Sequence, residues 1–95
     1  MGIEYRIRFQ ADRNQLCNHI RGLRFFTGFD EPHRLYALHS DPSTVGGMPN
    51  AWVSVEPDGL YFCDNGGDPQ DCALILRSVI DLALQMAETI EIEQL

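Results

Sequence analysis

Two runs of apolar-bearing residues, 51–55 and 60–64, flank the segment Glu56-Pro57-Asp58-Gly59. Nothing else in the chain restricts its folding as tightly. Proline fixes φ near about −65°, aspartate suits the next turn position, and glycine supplies a positive φ that other residues resist. The runs are therefore expected to close into a β-hairpin over 51–64. Read as a three-residue turn with a glycine bulge, the hairpin pairs Glu56 with Leu60, so Ser54 opposes Phe62 and Trp52 opposes Asp64. One face then carries Trp52, Ser54, Glu56, Leu60, Phe62 and Asp64. The other carries Ala51, Val53, Val55, Tyr61 and Cys63. A two-residue turn would swap the faces of the second strand. In either register large apolar groups stand on both sides.

The segments around the hairpin are read from periodicity and caps. Ile3, Tyr5, Ile7 and Phe9 alternate with Glu4, Arg6, Arg8 and Gln10, which marks a half-buried strand with an arginine-bearing outer face. Asp12 as N-cap, then Leu16, His19 and Ile20, predict a helix over 12–21, closed by Gly22 in a left-handed conformation. Residues 23–29, with Phe25, Phe26 and Phe29, fit a short strand or a packed turn. Residues 34–39 read as a strand. The breaker-rich stretch 40–50 must be a loop, and the most mobile one. Asp68 as N-cap, Pro69 at the first helical position and Asp71 in the first turn open a long amphipathic helix over 69–88. Its apolar stripe is Cys72, Leu76, Val79, Ala83, Met86 and Ile90. Residues 89–93 alternate like a strand but could also extend that helix.

The order is strand, helix, one undecided element, three strands, helix. It predicts a single α+β domain over residues 1–95: an antiparallel or mixed sheet of four or five strands, with both helices on one face. Such a sheet leaves its second face uncovered. The first residues show no basic segment followed by an apolar run, and no stretch reaches the roughly 18–20 apolar residues a membrane helix needs. The expectation is a cytoplasmic protein with no membrane partner, whose three cysteines, Cys17, Cys63 and Cys72, remain free thiols.

Charge is the clearest statement about partners. Residues 1–40 carry six arginines against four acidic residues, and residues 41–95 carry one arginine against ten, so +2 and −9 give the net −7. Such a chain repels nucleic-acid phosphate and attracts cationic surfaces within a Debye length of ~8–10 Å. Nucleic acid is not an expected partner. A basic protein, or a second copy in a homodimer, is.

Motifs for chemistry are weak. Cys17 and His19 sit about 200° apart on a helix, and no Cys-x-x-Cys or His-x₃-His spacing occurs, so no metal site is expected. The glycines at 66 and 67 lie between strand and helix, where phosphate loops occur, but Asp64, Asp68 and Asp71 surround them and no lysine follows. The same stretch lacks the third-position ligand and the twelfth-position glutamate of a calcium loop. His39-Ser40-Asp41 has hydrolytic residue types, yet adjacent residues cannot form a relay with one another. No catalytic residue and no cofactor are assigned.

The leading expectation is a small acidic, non-enzymatic interaction protein: a binder or inhibitor of a basic protein, of the immunity or antitoxin kind. Trp52, Leu60 and Phe62 would anchor the interface, and Glu56, Asp58, Asp64, Asp68 and Asp71 would steer the partner. The alternative is a homo-oligomeric ligand-binding domain or small enzyme with a pocket between sheet and helices, lined by Arg34, Tyr36, His39 and the Gly46-Gly47 loop.

Overall fold

The computed structural model of the chain describes residues 2–41 and 47–95. Eight elements follow in order: β1 (Glu4–Arg8), α1 (Arg13–Arg21), β2 (Phe26–Asp30), β3 (Leu35–Leu38), β4 (Ala51–Glu56), β5 (Gly59–Asp64), α2 (Pro69–Met86) and β6 (Glu91–Gln94). The six strands form one antiparallel sheet in the order β2-β3-β4-β5-β1-β6. The fold is α+β, as the element order implied. The undecided segment 23–29 contributes β2 as the fifth strand, and the count reaches six because the alternating tail forms β6. Residues 42–46, including Gly46, lie outside the described residues, and so does that part of the expected 40–50 loop.

Register explains where the core sits. Ile7 pairs with Leu60, Tyr5 and Val53 both pair with Phe62, Tyr36 pairs with Val53, and Leu38 pairs with Ala51. Directly paired residues point to the same side, so these side chains form one apolar surface. Leu16 and Ile20 of α1, and Ile75, Val79, Leu82 and Ala83 of α2, join them in a single buried cluster. Both helices thus cover one face of the sheet. Burying each large side chain there stabilises the fold by roughly 1.5–3 kcal/mol.

Both N-caps form as the sequence indicates. The Asp12 carboxylate accepts from Gln15 N–H at 3.0 Å, and Asp68 accepts from Gln70 N–H at 2.8 Å with Pro69 at the first turn. Gly22 differs from expectation: its φ is −86°, right-handed, and its N–H donates to the carbonyls of Asn18 and His19. Arg34 differs too. It opens no strand but holds φ +56° in the turn between β2 and β3. There the His33 N–H donates to the Asp30 carboxylate at 3.2 Å.

The hairpin turn corrects the bulged reading. Glu56 pairs with Gly59 and Val55 with Leu60, so two residues, Pro57 and Asp58, make the turn. Gly59 takes φ +144°, and a Cβ there would lie 2.0 Å from the Ile7 carbonyl oxygen. Glycine is needed because β1 passes so close, and it stays in the ladder rather than looping out. Every residue of β5 therefore lies on the face opposite to the one the bulge assigned.

Candidate protein-interaction surface

That swap divides the expected anchor cluster. Leu60 and Phe62 have no exposed surface and belong to the core beneath the helices. As contact residues on an exposed face they are corrected: the two-residue turn carries them inward. Trp52 pairs with Cys63 and stays on the other face, half-buried. Its neighbours there are Ala37 across β3, Ser54 along its own strand, and Tyr61 across β5. No helix among the described residues packs on this side.

The open face has a charge pattern that the sequence did not display. Alternation places Glu4, Arg6 and Arg8 of β1, Asp30 of β2, Glu56 of β4, and Glu91 and Glu93 of β6 on it. Five carboxylates against two guanidiniums give a face charge of −3. Arg8 is engaged by Glu93 of this set at 3.2 Å and by Asp58 of the hairpin turn at 3.5 Å. The Tyr61 hydroxyl donates to Glu4 across the β1–β5 pair. Partial burial, and then that hydrogen bond, raise the Tyr61 pKa well above the usual tyrosine value. Tyr61, Arg6, Glu91 and Glu93 were not assigned to a site from the sequence. The alternation of Ile90 and Ile92 with Glu91 and Glu93 was the available signal.

The expected steering acids do not form one patch. Glu56 and Asp58 lie at one end of the β4–β5 hairpin, and Asp64, Asp68 and Asp71 at the other. The hairpin between them is about 20 Å long, at ~3.3 Å per residue. Asp64 accepts from the N–H groups of Ile3 and Gly66, and Asp68 caps α2. The second group therefore shapes the β5–α2 corner, with Asp64 next to Cys63, the cross-strand partner of Trp52.

Arg34, Tyr36 and His39 are likewise not brought together. Tyr36 is buried on the helix side, under Arg21, whose guanidinium carbon lies 5.4 Å from the ring centroid. Burial and the neighbouring Cys17 raise its pKa. The space between Arg34 and Tyr36 is about 30 Å³, room for roughly one water. His39 is buried on the open side, where it bonds Thr27 and approaches the Gly47 carbonyl at 3.3 Å. It shares a shallow hollow of about 240 Å³ with Trp52, Ala37 and Pro49. The pairing of strands separates Tyr36 from His39, since residues three apart on a strand face opposite sides.

A concavity of about 750 Å³ lies in the helix layer, between the end of α1 and the flank of α2. Leu23, Phe25 and Leu82 form its floor, Leu74 stands 47% exposed in it, and Arg24 and Arg77 edge it. All three cysteines are free thiols, and Cys72 has its pKa raised by burial and then by the Asp64 charge. No group of metal-binding side chains converges among the described residues. No family model, curated protein or solved structure matches the chain. Among the described residues no helix is long and apolar enough to cross a membrane.

Proposed function

We propose that this chain is a small non-enzymatic interaction protein that holds a cationic protein against the open face of its sheet, as an immunity- or antitoxin-type binder does. One observation carries the reading: Trp52 and Tyr61 stand on a sheet face without helical cover, inside a surrounding charge of −3. Aromatic anchors on a face of net negative charge suit a partner whose lysines and arginines meet them. Two copies joined through the same face would bring like charges together, so a basic partner fits it better than self-association.

The test is affinity capture of basic proteins with wild-type and Trp52→Ala protein. The wild type should retain a partner whose affinity falls at least tenfold between low and physiological salt, and Trp52→Ala should release it without loss of fold. Binding indifferent to salt would end the electrostatic part. A second reading, a small ligand, is favoured by the 750 Å³ groove with its exposed Leu74, a volume in the range of ligand sites. Thermal stabilisation by a metabolite, with no protein captured, would promote it.

A further inference from the structure

We infer that the outer edge of β6 accepts an extended segment of the cationic partner as a seventh strand, one in which basic and apolar residues alternate. The inference rests on the partner being a cationic protein and adds where and how it attaches. Backbone direction comes first. Leu95 N–H donates to the Glu4 carbonyl at 2.8 Å, and the register continues Tyr5↔Gln94, Arg6↔Glu93, Ile7↔Ile92 and Arg8↔Glu91. Antiparallel ladders alternate between pairs that exchange hydrogen bonds and pairs that do not. Leu95, Glu93 and Glu91 therefore turn their backbone groups toward β1. Ile92 and Gln94 turn theirs outward, away from the sheet, and the whole strand is exposed.

Side chains define what fits. Glu91 and Glu93 project on the open face, while Ile92, 47% exposed, lies beside Ile7 on the helix side. A strand added here would set basic residues against the two glutamates and an apolar residue against Ile92. Glu93 already reaches Arg8 at 3.2 Å, but Glu91 has no ion pair among the described residues.

The opposite edge shows what a closed one looks like. β2 has a register shift between Phe26 and Gly28, is half-buried along its length, and has Arg21 over the rings of Phe26 and Phe29. Bulges and cover of this kind prevent strand addition. β6 pairs regularly and lacks both among the described residues. Its glutamates choose the partner instead. A second copy pairing symmetrically about Ile92 would oppose Glu91 of one chain to Glu93 of the other, and like charges directly across a pair are destabilising. The same carboxylates attract a basic strand.

The probe is a capped hexapeptide of alternating lysine and valine, followed by amide hydrogen exchange in the ¹⁵N-labelled full chain. At saturating peptide the Ile92 and Gln94 amides should exchange at least tenfold more slowly. The same peptide N-methylated at every residue, with equal charge, should protect neither. Glu91→Gln should weaken binding about threefold while leaving the unliganded melting temperature unchanged. Equal protection by the methylated peptide, or no protection by either, would overturn strand addition. Resonance shifts confined to Trp52 and Tyr61 would also overturn it, yet would leave the open face standing as the site for a cationic protein.

Discussion

The two faces of one hairpin, β4 and β5, have had their side chains sorted into different work. Toward the helices, Ala51, Val53, Leu60 and Phe62 are at most 1% exposed. On the opposite side Trp52, Ser54, Tyr61 and Cys63 remain half-buried with no helix above them among the described residues. Both faces carry aromatic residues, so hydrophobicity alone does not tell them apart. What separates them is cover: the helix side has two amphipathic helices to bury against, and the open side has none among the described residues. A core residue is tied to stability, and an uncovered one is free to serve contact.

The largest effect expected from that division is on the covered side. Phe62→Ala should cost about 3–5 kcal/mol in denaturant unfolding. A loss under about 1 kcal/mol would mean that Phe62 is not in the core. Gly59→Ala comes next, at more than about 2 kcal/mol, since it combines φ +144° with a Cβ that would meet the Ile7 carbonyl at 2.0 Å. Trp52→Ala should cost less than about 1.5 kcal/mol of stability, because the residue is only partly buried and no helix among the described residues packs on it. Its effect on partner affinity should be larger, tenfold or more. If melting drops as far for Trp52→Ala as for Phe62→Ala, the contrast between the faces fails.

Alkaline pH gives a finer probe of the open side. Burial and the Glu4 bond raise the folded pKa of Tyr61 above its ordinary 10.0. The folded state then holds that proton more tightly than the unfolded chain does. Its contribution is intact below about pH 10 and is lost as pH climbs through the folded value. Tyr61→Phe should flatten this alkaline decline, leaving the share due to Tyr36 and Cys72, both also raised. The smallest effect belongs to Arg8→Ala, at most about 1 kcal/mol and less in high salt, as its pairs with Asp58 and Glu93 are partly exposed.

Local chemistry made much of the fold legible. Asp12, Asp68 and Pro69 mark helix starts because caps act within one turn, and the stripe of α2 follows from its own periodicity. The turn register was not legible. Gly59 satisfies a bulged turn and a two-residue turn equally well from sequence, and the Ile7 carbonyl that decides between them lies some fifty positions away. The site suffered in consequence, since a shift of one residue moved Leu60 and Phe62 inward and brought Tyr61 out. The tail was ambiguous for a similar reason: Glu91 and Glu93 become part of the open face only once β6 pairs with β1, a contact between the two ends of the sequence.

The most direct test of the open face is an amide and indole shift map of the ¹⁵N-labelled protein bound to a captured basic partner. Trp52 is the sole tryptophan, so its indole signal reports on that face alone. The expected result is a strong shift at Trp52, Tyr61, Arg6 and Glu93, with Leu74 and Arg77 on the helix side silent. Perturbation concentrated at Leu74, Arg77 and Arg24, with the Trp52 indole unmoved, would contradict the account.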